Sequence, residues 1–161
     1  RTDNKDSWTP VIEVAVLFLG IFTTMVPTMM YLKANAASWG LDSPWQFYYL
    51  TGVMSSFLDN APTALAFHGV ASGLTPDTVA AIGGNIVADI PEILLKAISV
   101  GAVFFGAMTY IGNGPNFMVK SIAEENGIKM PSFFGYMIKF SLIILLPVYV
   151  LTQVIFLWLL A

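Results

Sequence analysis

Cysteine is missing from this sequence of 161 residues, and histidine occurs only once. Disulfide bonds and thiolate metal sites are therefore excluded, and a lone histidine cannot form the ligand clusters that hold zinc. No nucleophile–base pair or resident metal site can be assembled from such a set. We therefore expect a protein that is not an enzyme and that carries no bound cofactor.

Charged residues are also scarce, at 11% of the chain against about 25% in an ordinary soluble domain. Hydrophobic residues make up 57%. Because a soluble domain of this size needs more polar groups to cover its surface, we expect a lipid bilayer as the surroundings. A small, very apolar soluble bundle is the alternative. The net charge of −3 leaves no basic stripe for phosphates, which excludes a nucleic-acid partner.

Long apolar stretches predict helices that cross the bilayer. The stretch 10–32 is long enough to span about 30 Å of hydrocarbon, and the stretch 131–160 is long enough to do so with a tilt. Residues 74–90 are mixed in character and predict a short interfacial helix. The chain starts with Arg1 and a polar segment unlike a signal peptide, so we expect an N-terminal part of a longer protein to be missing here.

Residues 44–72 contain two half-length apolar arms around a polar tip. The first arm, of about 14 residues, is too short to cross the bilayer and meets the tip Asp59-Asn60-Ala61-Pro62-Thr63. This pattern predicts a re-entrant hairpin with its tip at 59–63. A carboxylate at this depth costs at least about 2.5 kcal/mol, so Asp59 is the leading candidate for ion or proton binding. The alternative is that Asp59 only caps the second arm.

Oxygen ligands for a small cation flank this carboxylate, and Pro62 frees backbone carbonyls nearby. The flanking residues are Ser55, Ser56, Asn60 and Thr63. His68 lies about two turns beyond the tip and is a candidate proton relay. Its alternative reading is an ordinary hydrogen-bonded side chain.

A second interruption breaks the apolar helix predicted for residues 92–127. Five consecutive residues that favour turns fall at 112–116, namely Gly112, Asn113, Gly114, Pro115 and Asn116. Glycines let a ligand approach closely, and unwound carbonyls are suitable sodium ligands. A kink whose asparagines satisfy broken backbone bonds is the alternative.

Two segments carry a family resemblance, SSFLDNAPTALAF and YIGNGPNFMVKSIAEENGIKMPSFFGYM. They resemble the C-terminal half of the ion transporter superfamily, especially its NhaD-type sodium/proton antiporter, arsenite-pump-like and citrate-transporter-like branches. In that superfamily each half supplies a re-entrant hairpin and a helix unwound in mid-membrane, and the halves are related by inverted topology. The resemblance implies an all-α integral membrane fold and an ion site where the hairpin tip meets the unwound loop.

The resemblance implies a secondary active transporter of the bacterial inner membrane, with several membrane passes. We expect sodium/proton antiport, with Asp59, Asn60 and Asn113 as sodium ligands and only the transported ions bound. Citrate-like carboxylate symport and a non-transporting membrane subunit remain as alternatives. The expected partners are the bilayer, the missing N-terminal half and a second copy in a homodimer.

Overall fold

The computed structural model describes residues 9–159, apart from the side chains at positions 9–11, 13, 14 and 17. The fold is helical, with one short pair of strands, β1 (Ile86–Val87) and β2 (Ile90–Pro91). The helices are α1 (Thr9–Asn35), α2 (Pro44–Ser55), α3 (Asn60–Ala71), α4 (Pro76–Ile82), α5 (Glu92–Phe105), α6 (Gly114–Glu125) and the last helix (Phe133–Leu159). Turns of 3₁₀-helix follow α1 at Ala36–Trp39 and α5 at Gly106–Met108.

Within the described residues, one helix has the length and the composition needed to cross a membrane, the last helix, with a mean hydropathy of 2.4. Most of its residues are exposed, as expected of a surface that faces lipid. Two stretches of this helix, Met137–Leu145 and Ile155–Leu159, have π-helical hydrogen bonding. The helix at the other end of the chain, α1, is 27 residues long.

Helices α2 and α5 lie side by side and run in the same direction. A Cβ atom on Gly101 of α5 would lie 2.5 Å from the carbonyl oxygen of Tyr48 on α2. One turn further along both helices, a Cβ on Gly52 would lie 2.5 Å from the ring of Phe105. Glycine at these two positions lets the backbones approach closely. Because both contacts move toward the C-terminal end of each helix, α2 and α5 are parallel and their C-terminal ends lie side by side.

An aromatic cluster joins these two helices to the last helix. The Phe105 ring stacks on Tyr149, with ring centroids 4.2 Å apart, and meets Tyr48 edge-on at 5.4 Å. The Tyr48 hydroxyl donates to the backbone carbonyl of Tyr149 at 2.9 Å. The core continues along one side of α3 and α5. Its other buried members include Phe47, Val70, Ala71, Ile90, Leu94, Ala97 and Ile98.

The segment 74–90, predicted as one short helix, contains α4 and then the β-hairpin. Helix α4 ends early because Gly83 and Gly84 adopt positive φ angles of 72° and 82°. Such angles interrupt a helix and favour glycine. Ala88 and Asp89 form the two-residue turn between the strands, also at positive φ, which matches the twist of a tight hairpin.

Candidate functional site

The helical hairpin α2–α3 turns at residues 56–59. The predicted tip lay at 59–63, but Pro62 and Thr63 belong to the first turn of α3. Proline is tolerated there because the first turn of a helix needs no backbone donor from it. The Thr63 side chain is buried and donates to the carbonyl of Asp59 at 2.9 Å. The proline therefore starts the second arm and does not open the tip.

The second interruption also lies earlier than its sequence signal. Helix α5 ends at Phe105, and the stretch without α-helix, which begins with the 3₁₀ turn, runs on to residue 113, where the prediction was 112–116. Gly114 and Pro115 already form the first turn of α6 and are exposed. Proline at this position is favoured by its fixed φ angle. We call residues 106–113 the break.

Hydroxyl groups at the end of α2 fasten the hairpin to the break. Ser55 Oγ donates to the carbonyl of Ala102 at 2.6 Å, and Ser56 Oγ shares its proton between the carbonyls of Gly52 in α2 at 3.0 Å and Phe105 at 3.3 Å. In return, the Thr109 hydroxyl in the break donates to the carbonyl of Ser56. All three side chains are buried. The C-terminal ends of α2 and α5 are therefore joined by reciprocal hydrogen bonds.

Asn60 joins the start of α3 to the same place. In the amide orientation that satisfies both of its polar atoms, Nδ2 donates to the carbonyls of Ala102 at 2.9 Å and Gly112 at 3.2 Å. Ser55 Oγ also accepts from it at 2.9 Å. The amide head lies 2.5 Å from where a Cβ on Gly106 would stand. Two interruptions far apart in sequence thus meet through one amide.

Side-chain donors satisfy five consecutive carbonyls at the start of the break. The Phe105 carbonyl, at the end of α5, accepts from Ser56 Oγ at 3.3 Å. The carbonyls of Gly106 and Thr109 both accept from Asn116 Nδ2, at 2.8 and 3.3 Å. The Ala107 carbonyl accepts from the Tyr136 hydroxyl at 3.1 Å, and the Met108 carbonyl accepts from the Ser141 hydroxyl at 2.5 Å. Carbonyls that leave a helix need such partners wherever water does not reach them. These carbonyls are fixed by the protein and do not form an open ligand cage.

Asp59 and Asn113 occupy equivalent places in the two units. Each stands at the N-cap position of the following helix, and neither side chain makes a capping hydrogen bond. Asp59 is exposed and Asn113 is half-buried. Capping, the alternative for Asp59, is therefore not observed. Within the described residues no group of three or more His, Cys, Asp or Glu side chains could hold a metal.

A family model described as "Putative citrate transport" (CitMHS_2) matches residues 1–157. The chain belongs to this citrate-transport family. No curated protein and no solved structure matches it. Membership, together with the helical fold and the apolar last helix, identifies the chain as an all-α membrane protein that resembles citrate-transporter permeases.

In this member of the citrate-transport family, the structure brings together only part of the predicted site. We call the place where the ends of α2 and α5, the start of α3 and the break meet the junction. Gathered there are Ser55, Ser56, Asn60, Gly112 and Asn116, with Thr63 one turn away. Asn60 points to the break, whereas Asp59 is exposed. No hydrogen bond found within residues 9–159 joins the three predicted sodium ligands into one shell.

His68 hydrogen-bonds through Nε2 to the carbonyl of Ala88 at 2.9 Å, in the β-turn. This contact joins α3 to the β-hairpin, as expected if His68 is an ordinary hydrogen-bonded side chain. A role in proton relay stays a prediction.

Four residues of the junction carried no motif signal in the sequence. They are Gly106, Thr109, Tyr136 and Ser141. Ser141 belongs to no motif, but it is the lone hydroxyl in the apolar run FSLIILLPV. Polar residues inside membrane helices usually face protein and hydrogen-bond to it.

A cleft of about 910 Å³ lies at the opposite ends of α2 and α5. Asp42 and Asp77 line it, together with the Glu92–Lys96 ion pair at 3.2 Å. It is remote from the junction, because these residues flank the N-terminal ends of the helices whose C-terminal ends meet there.

Proposed function

We propose that this family member is the ion-binding half of a secondary active transporter that exchanges sodium for protons at Asp59. The observation that carries the proposal is the exposed, uncapped carboxylate of Asp59 on a hairpin bound to a broken helix. An uncompensated carboxylate in a membrane is costly, and such residues commonly serve ion or proton transfer.

The two cations would compete for this one carboxylate. Asp59 either holds a proton or, with the Asn113 amide and water, holds sodium. A site neutralised by either cation can change its exposure across the membrane, whereas the charged empty site cannot cross at low cost. Because sodium and the proton cannot occupy Asp59 together, the movement of one is exchanged for the movement of the other. Ser55 and Asn60 contribute by holding the hairpin against the break.

We place the hairpin α2–α3 as re-entrant and α5–α6 as a helix broken at mid-membrane, with α1 and the last helix as spans. The open side of the junction, where Asp59 is exposed, is the face that a second inverted half would cover. Such a protein is multi-pass, and the bacterial inner membrane and a homodimer are the setting that the family resemblance implies.

The second candidate is cation-coupled transport of citrate or a similar carboxylate. The family match favours it. The N-terminal ends of α3 and α6, each 12 residues long, flank the junction, and the positive end of each helix dipole can attract carboxylate groups. Against it stands Asp59, which would repel an anion unless a cation neutralised it.

Vesicles that contain the full-length protein distinguish the two candidates. A pH gradient is imposed, and sodium chloride or sodium citrate is added in turn. For antiport, sodium chloride alone collapses the gradient, and citrate adds nothing. Uptake of labelled citrate that follows a sodium or proton gradient would replace antiport with symport. Vesicles that respond to neither addition would refute both.

A further inference from the structure

The first π-helical stretch of the last helix lies next to the break. π-Helical turns are rare, occur mostly as single turns, and are frequent at functional sites. This one covers nine residues, Met137–Leu145. Positions 133, 137, 141, 145 and 149 are all buried or half-buried, so every fourth residue faces the protein.

An ordinary α-helix cannot keep that spacing on one face. At 3.6 residues per turn, every fourth residue drifts by about 40°. The wider π turn offsets this drift. As a result both Ser141 and Tyr149 face inward, Tyr149 against Phe105 and Ser141 against the carbonyl of Met108.

Ser141 is the one buried residue in the stretch 137–148, and its exposed fraction is 0%. Its hydroxyl donates to the Met108 carbonyl at 2.5 Å, and the Tyr136 hydroxyl donates to the preceding carbonyl, of Ala107, at 3.1 Å. Two successive carbonyls of the break are thus held by the last helix. The three remaining carbonyls among residues 105–109 accept hydrogen bonds from Ser56 and Asn116.

We infer that Ser141 is a positioning residue for the ion site, which acts by fixing the break to the last helix. Within residues 9–159, the Ser141 hydroxyl is the side-chain donor found for the Met108 carbonyl, so loss of the hydroxyl removes its partner at a buried position. The break then relaxes, and Asn113 at its end loses its fixed place. Because the loss precedes ion binding, it weakens affinity more than the rate of the loaded transporter.

This inference rests on the proposed function only for its transport readout. In vesicles of the full-length protein, Ser141→Ala should raise the sodium concentration for half-maximal proton flux by about 5-fold, the equivalent of one lost hydrogen bond. The maximal rate should change by less than about 2-fold. Ser141→Thr, which keeps the hydroxyl, should restore the half-maximal concentration. Ser72→Ala is the matched control, because Ser72 donates only to Gly69 O in its own helix.

A second measurement needs no transport. Hydrogen exchange of the purified full-length protein should be about 5-fold faster in peptides covering 106–113 for Ser141→Ala, and unchanged there for Ser72→Ala. Tyr136→Phe should give a smaller acceleration. Unchanged exchange in Ser141→Ala would overturn the inference even if transport is normal. A lower maximal rate at unchanged half-maximal concentration would also overturn it, and inactive wild-type vesicles with faster exchange would refute only the proposed function.

Discussion

The hairpin and the broken helix are built on the same plan but are held differently. Each has a helix, an interruption, and a second helix of 12 residues whose start carries the sequence Asn-x-Pro. Asn60 of the hairpin is tied into the interior, whereas Asn113 of the broken helix makes no capping bond. Helix α3 has buried residues along its length, and α6 has none.

The difference shows that the motif starts a helix and does not by itself make a binding site. The packing of other elements over the helix that follows the motif decides how firmly that helix is held. Helix α3 packs on α1 so closely that a Cβ on Gly69 would lie 2.7 Å from the Met29 side chain. The hairpin is thus held through α3 as well as through its contacts with the break, whereas the helix that follows the break has no buried residue.

The largest expected effect comes from a pair of glycines around the end of the break. A Cβ on residue 112 would lie 2.7 to 2.9 Å from three backbone carbonyls, whereas one on Gly114 would meet nothing within 4 Å. Gly112→Ala should therefore lower the free energy of unfolding by about 3 kcal/mol, because backbone cannot move aside cheaply. Gly114→Ala should change it by less than about 0.5 kcal/mol.

Thermal unfolding of both variants in detergent measures this difference. Equal stability of the two would show that the break does not pack against the ends of α2 and α5 as described.

The sequence alone predicted both interruptions, and the structure has each of them within a few residues of its signal. Both signals were displaced toward the C-terminus because Pro62 and Pro115 begin helices, where a proline is favourable, and were read as parts of the gap. Proline indicates that a helix is interrupted, but it does not indicate whether the interruption lies before or after the proline.

The partners of the interruptions could not be predicted. The parallel packing of α2 and α5 decides which asparagine is hydrogen-bonded in the interior. These helices are about fifty residues apart in sequence, so their packing cannot be read from a local pattern. The role of Ser141 depends on a π-helical stretch that a run of apolar residues does not signal. Thr109 looked like an ordinary residue of an apolar helix until the break was seen to start before it.

A smaller effect should separate the two asparagines. Asn60→Ala removes the amide that serves Ala102 and Gly112, and should lower the free energy of unfolding by about 2 kcal/mol. Asn113→Ala should leave stability within about 0.5 kcal/mol and instead raise the half-maximal sodium concentration. Denaturation and vesicle flux measured on the same two proteins check this. The reverse assignment, with Asn113 structural, would contradict the comparison.

The smallest effect tests the covering of α3 and α6 with matched valines. Val70 of α3 is 2% exposed, and Val119 of α6 is 63% exposed. Val70→Ala should cost about 1.5 kcal/mol through lost packing, and Val119→Ala less than about 0.5 kcal/mol. Unfolding midpoints of the two variants provide the measurement. Equal costs in the full-length protein would mean that another part of the protein covers α6.

The most direct test of the central claim is sodium-driven proton flux in vesicles of full-length Asp59→Asn. Asp77→Asn is the control, an equally exposed aspartate on α4 away from the junction. The account predicts that Asp59→Asn loses at least about 100-fold in flux while remaining folded, because the neutral amide cannot take up and release the proton for which sodium is exchanged. Asp77→Asn should keep its flux. Sodium-driven proton movement that persists in Asp59→Asn would contradict the account.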